Sequence, residues 1–159
     1  MATLDLVREP RGADYRALLE FLRGRAESFS LVWRNGGHYA ASADVVRGRL
    51  TPHLLRTEGT SEWPGTQLLG GIATVRHYRT ALEAVALLTE AGQLYAWQSD
   101  ALPEDLAFYR ADGQVLFASI GHERDAWFEL AAVSEAEVRA GLPMLQFHVT
   151  EAPPLRPDA

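Results

Sequence analysis

The chain has 159 residues, 47% of them hydrophobic and 23% charged, the make-up of one ordinary globular domain that can build a core without staples. It contains no cysteine, which excludes disulfides and thiolate chemistry and would leave zinc only His and carboxylate ligands. All 15 basic residues are arginine and the net charge is −6, so lysine Schiff bases and a P-loop lysine are excluded, a nucleic-acid partner is disfavoured, and a basic protein partner is compatible.

The N-terminus, Met1-Ala2-Thr3-Leu4-Asp5, has no basic segment leading into an apolar one. No apolar run approaches the roughly 20 residues that span a bilayer. A cytoplasmic protein with no membrane association is therefore expected. Leu4 and Leu6 alternate with polar neighbours as a short first strand. Asp14 is placed to cap a helix whose inner face is Tyr15, Leu18, Leu19, Leu22 and Ala26, with Arg16 and Glu20 paired outside. Phe29–Arg34 reads as a strand, and Asn35-Gly36 as a hairpin turn returning through His38–Ala41. Ser42 or Asp44 can cap a short helix to Leu50, stopped by Pro52.

From Thr51 to Gly71 the pattern is irregular and reads as a long loop around Trp63-Pro64-Gly65, a length expected where a loop binds something or is packed down by its own side chains. Ile72–Tyr78 is a strand. Thr80-Ala81-Leu82-Glu83 is a capping box opening a deeply buried helix that ends near Gly92. Leu94–Trp97 is a short strand or a packed connector. Leu106–Arg110 and Val115–Ile120 flank Asp112-Gly113, a hairpin signal because Gly supplies positive φ freely. Their continuous apolar character places them at the centre of the sheet. Val133-Ser134-Glu135-Ala136-Glu137-Val138 holds a second capping box with a Val133–Val138 staple, and Leu145–Thr150 alternates as a half-solvated last strand. Residues 1–150 should form one α+β domain, a mostly antiparallel sheet of hairpins with helices packed on it. Residues 151–159, rich in proline, read as a disordered tail.

Three groups of residues carry candidate chemistry. His122, Glu123 and Asp125 crowd the end of a central strand; His122 could serve as a general base oriented by either acid, or the group is a polar connection with Arg124 paired to Asp125 or Glu104. Glu104 and Asp105 are adjacent acids, but neighbours on an extended chain point apart, so solvated positions at a strand's start are expected. Trp63 and Trp97 sit in connections, where tryptophan marks a binding surface or seals the edge of a core. His77 shares a face with Val75 and Ala73, opposite Arg76, as part of an anion-binding rim or as a satisfied structural histidine. There is no second histidine of a zincin motif, no Gly-rich phosphate cradle and no nucleophile elbow. Neither a metal nor a cofactor is expected.

The string Leu102-Pro103-Glu104-Asp105-Leu106-x-Phe108-Tyr109-Arg110-x-Asp112-Gly113, followed by Ser119-Ile120-x-His122-Glu123-x-Asp125-Ala126, resembles a pattern in uncharacterised small bacterial proteins. Glu62-Trp63-Pro64-Gly65-Thr66 and Trp97-Gln98 are similar to segments of the same group. That resemblance implies no reaction and transfers no catalytic residue. In size, acidity and α+β make-up the chain also resembles bacterial immunity proteins that neutralise toxins. The expected function is a non-enzymatic protein-binding, immunity or accessory protein, with Trp63, Trp97, Glu104, Asp105 and Arg110 at its binding surface. The alternatives are a small hydrolase or isomerase using His122 as base, and a structural module that homodimerises through an edge strand such as Leu145–Thr150.

Overall fold

Alternation and helical periodicity resolve, in the computed structural model, into ten strands and four helices over the described residues, 2–151. In chain order these are β1 (Ala2–Leu6), α1 (Ala13–Arg23), β2 (Ser28–Arg34), α2 (Ala41–Leu50), β3 (Leu54–Thr60), β4 (Glu62–Trp63), β5 (Thr66–Gln67) and β6 (Ala73–Arg79). Then follow α3 (Leu82–Thr89), β7 (Glu104–Tyr109), β8 (Val115–Ile120), β9 (Asp125–Glu129), α4 (Glu135–Gly141) and β10 (Phe147–Glu151). Eight strands form one open sheet in the order β10-β1-β9-β8-β7-β2-β6-β3, every neighbouring pair antiparallel. The fold is α+β, and the Asp112-Gly113 hairpin joins the two middle strands. Gly113 has φ 86 there, and the Asp112 carboxylate accepts the Gln114 N–H at 2.9 Å.

One face of the sheet is covered by helices. Tyr15, Leu18, Leu19 and Leu22 of α1, with Val85 and Leu88 of α3, pack on Phe29, Leu31, Phe108, Phe117 and Phe128. Phe29 lies against Tyr78 and Phe108, and Phe128 against Phe21, Phe117 and Phe147. The buried Tyr15 hydroxyl donates to the Leu88 carbonyl at 2.6 Å and accepts the Trp97 indole N–H at 2.9 Å. Burial pushes the Tyr15 phenol well above its ordinary range.

Several expected local features take another form. Residues 38–40 make no returning strand: β2 is already paired on both edges, with β6 and β7, so a hairpin partner has no place to dock. Gly36, at φ 77, instead turns the chain toward α2. The long loop is in fact ordered, as strand β3 and the β4–β5 hairpin. Leu94–Ala96 is a 3₁₀ turn. Gly12, Ala40 and Ala81 occupy the cap positions of α1, α2 and α3. Asp14 lies inside the first turn of α1, Ser42 donates to the Ala101 carbonyl, and Thr80 donates to the Ala26 carbonyl. Glu20 pairs with Arg23 rather than Arg16. Of the second capping box half is realised: Ser134 accepts the Glu137 N–H at 3.1 Å, while the Glu137 carboxylate turns to Arg25. Glu151 ends β10, and the rest of the expected tail lies outside the described residues.

Candidate functional site

The sheet's other face is where the polar residues gather. Strand register puts Ser30, Val32 and Arg34 of β2 beside His77, Val75 and Ala73 of β6, and these beside Arg56, Glu58 and Thr60 of β3. The β4–β5 hairpin folds over the middle of this face. Trp63 is buried there against Val32, Ala73 and Val75. Gly65, at φ 84, sits so close to the sheet that a Cβ would lie 2.5 Å from the Trp127 ring.

A bulge in β7 supplies the hairpin's anchor. Ser30 pairs with Ala107 but Val32 with Glu104, so two residues of β7 oppose one of β2, and Asp105 takes φ 58. That kink defeats the alternation expected of neighbouring residues and brings both acids to one neighbourhood. Glu104 accepts from Arg34 Nε at 3.0 Å and from the Tyr39 hydroxyl at 3.3 Å. Asp105 accepts the Trp63 indole N–H at 2.9 Å and the Gly121 N–H at 3.2 Å. The Arg34 guanidinium lies 5.1 Å from the centre of the Trp63 ring, a cation–π distance that links the two acids' partners. Both carboxylates are buried rather than solvated. Burial raises the Asp105 pKa above the ordinary carboxylate value, against the opposing effect of its two N–H donors; the nearby Glu104 charge raises it further, and His122 lowers it.

Of the remaining sequence candidates His122 comes near that cluster, next in the chain to the Gly121 N–H that Asp105 accepts, and the others lie elsewhere. Trp97 is buried in the helix-side core, so the two tryptophans seal opposite faces of the sheet. Arg110 Nε donates to the Ala132 carbonyl at 2.6 Å. His122 is 49% exposed by its side chain and stands 3.7 Å from Glu123, which is itself exposed. Asp125 opens β9 opposite Ile120. Arg124, in the left-handed conformation (φ 57) at the end of a 3₁₀ turn, pairs with Glu9 instead of Asp125 or Glu104.

A second polar group lies toward the other end of the same face, and sequence reasoning did not assemble it. Ser30 Oγ and the Tyr109 hydroxyl share a hydrogen bond of 2.9 Å, His77 Nε2 lies 3.3 Å from Glu58, and the His77 and Tyr109 rings are 5.4 Å apart. The cross-strand pairs Ser30–His77 and Ser30–Ala107 bring these residues together, a register that no single strand's pattern reveals. Burial lowers the His77 pKa, and the nearby Arg56 charge lowers it too; contact with Glu58 works the other way. Beside this group an open groove of about 540 Å³ runs between the 62–67 hairpin and Tyr109 and Val115.

Among the described residues, no three His, Asp or Glu side chains stand together as a metal site, and no helix is long and apolar enough to cross a membrane. No family model, curated protein or solved structure matches the chain.

Proposed function

We propose that this chain is a non-enzymatic protein-binding protein of the accessory or immunity kind, acting in the cytoplasm. Its docking point is the loop joining β5 to β6. The observation that carries the reading is the apolar tip of that loop: Leu69 is fully exposed and Ile72 is 53% exposed, with Gly70 and Gly71 between them. A large aliphatic side chain held wholly in water costs free energy that contact with another protein recovers, roughly 1.5–3 kcal/mol for full burial of a leucine. Next to the tip a groove of about 480 Å³, bordered by Arg34, Asn35 and Leu68, offers room for a partner's side chains. Its floor is held by the Trp63–Asp105 and Arg34–Glu104 contacts, which gives the acids and Trp63 a supporting role beneath the binding surface. The net charge of −6 favours a partner with a basic surface.

Affinity capture tests the reading, with the wild-type chain and a Leu69→Glu variant as parallel baits. A protein held by the wild type and lost from the variant is the expected result. Recovery of the same proteins by both baits would overturn it.

A further inference from the structure

Among the described residues the sheet has two unpaired borders, β10 and β3. Both carry a run of exposed residues, His148–Glu151 on β10 and Leu55–Gly59 on β3, and β3 has the longer one. Every residue from Leu55 to Gly59 is exposed, so neither the helices nor the hairpin covers either side of it. Such a strand offers a row of free N–H and C=O groups to another strand.

We propose that β3 pairs antiparallel with β3 of a second copy of this chain, about a two-fold axis through Thr57. Charge selects that register. An axis through Arg56 would set arginine against arginine, and one through Glu58 would set glutamate against glutamate, both destabilising when directly opposite. With the axis on Thr57, Arg56 faces Glu58 of the second copy, and by symmetry the pair occurs twice. Within one chain these side chains already lie 3.4 Å apart. The dimer therefore continues an alternating row of charges across the seam.

Shape agrees with charge. The same register sets Leu55 opposite Gly59 of the second copy. Gly59 carries no side chain of its own, and Ile72 Cδ1 already fills the space beside it, 3.3 Å from the position a Cβ would take. Leu55 (47% exposed) can lie over the bare Gly59 backbone against Ile72 (53% exposed), removing two apolar groups from water on each side of the axis. Leu55 is also the extra residue at the shift between Leu54 and Arg56 in the pairing with β6, so the ladder to β6 does not fix its place. That bulge keeps the regular ladder short, so the pairing is a concentration-dependent one rather than an obligate unit. Ile72 would then belong to the seam, and the docking tip of each loop would be Leu69 alone.

Sedimentation velocity on the full chain, from about 1 µM to 0.5 mM at low salt, is the test. The wild type is expected to self-associate. Arg56→Glu and Glu58→Arg should each weaken that association about tenfold or more, because both symmetric pairs turn repulsive at once. Mixing the two variants should restore a heterodimer, since one then carries two acids where the other carries two arginines. The double variant Arg56→Glu/Glu58→Arg should dimerise like the wild type. Glu58 also meets His77, so Glu58→Gln is the milder companion if Glu58→Arg does not fold; it should weaken association several-fold. Leu69→Glu should leave association unchanged. A wild-type chain that stays monomeric throughout, association indifferent to the charge reversals, or no heterodimer on mixing would each overturn the proposal.

Discussion

Replacing Trp63 with phenylalanine separates the hairpin's polar anchor from its apolar one. The phenyl ring still fills most of the space against Val32, Ala73 and Val75, but the indole N–H that reaches Asp105 at 2.9 Å is gone. A hydrogen bond to a buried charged group contributes roughly 1.5–3 kcal/mol, and the lost ring atoms add about 1 kcal/mol, so Trp63→Phe should cost roughly 2.5–4 kcal/mol at pH 7. The cost should depend on pH. Asp105 has a native pKa raised above its unfolded value, so the native state binds its proton more tightly. This group therefore adds stability as the pH falls through the raised native value toward the unfolded one, and that stabilisation is lost again as the pH rises through the native value. The Trp63 N–H favours the charged form. Removing it raises the native pKa further, and the two proteins should differ most at pH 7 and converge in acid. Below both values the difference shrinks to the apolar loss plus a neutral hydrogen bond, about 1.5–2.5 kcal/mol. Urea unfolding followed by circular dichroism at pH 7 and at acid pH measures this directly, with Asp105→Asn as the background in which Trp63→Phe should show no acid dependence. A cost that is equal at both pH values in the wild-type background would refute the assignment of Asp105 as the hairpin's charged anchor.

Four further perturbations probe other parts of the molecule. Tyr15→Phe strands the buried Trp97 indole N–H, which has the Tyr15 oxygen as its acceptor; a loss of about 2 kcal/mol, or a melting temperature lower by about 4–8 °C, is expected in a thermal scan. Gly65→Ala forces a side chain into the left-handed region and against Trp127 and Ile120, so it should cost about 2 kcal/mol or more and speed hydrogen exchange in the 62–67 hairpin. His77 has a native pKa below its unfolded value, so its contribution is fully present above the unfolded value and is lost as the pH falls through about 6.5 and on through the native pKa; in His77→Asn that part of the stability–pH curve should flatten. His122→Ala removes a half-exposed ring whose acidic neighbour is Glu123 at 3.7 Å, and unfolding free energy should stay within about 0.5 kcal/mol of the wild type.

The parts of the fold that were legible in the sequence are those whose local pattern and tertiary role agree. The β7–β8 hairpin announced itself because Asp112-Gly113 suits the turn, and burial on both faces demands the apolar runs beside it. Strand β3 was hidden for the opposite reason. It is exposed on both faces, so no hydrophobic period marks it, and its conformation is imposed by seven-residue β6 alongside. The missing hairpin after β2 shows the same dependence: Asn35-Gly36 turns the chain, yet both flanks of β2 are taken by strands distant in sequence. At the candidate site, parity placed His77 with Val75 and Ala73 correctly. It failed for Glu104 and Asp105, because one residue at φ 58 shifts every orientation on its far side. The positive φ left no trace in the residue types beyond an aspartate, which tolerates that region better than most.

The bulge at Asp105 connects these observations into one mechanical unit. It lets β7 deliver two carboxylates where a regular strand would deliver one. Asp105 then holds Trp63 from the β4–β5 hairpin, and Glu104 holds Arg34 at the end of β2 beside the 68–72 loop. Burying both charges contributes little net stability, since desolvation offsets most of the attraction. Its effect is positional. An apolar hairpin could slide on the flat middle of the sheet, whereas an indole N–H aimed at one carboxylate oxygen admits one placement. The carboxylate's other oxygen takes the Gly121 N–H, so the same residue also ties the end of β8 to the start of β7. Fixing the hairpin fixes both ends of the loop that carries Leu69 and Ile72. An exposed apolar loop with anchored ends loses little entropy on contact with a partner, which is the condition under which a small apolar tip can hold one.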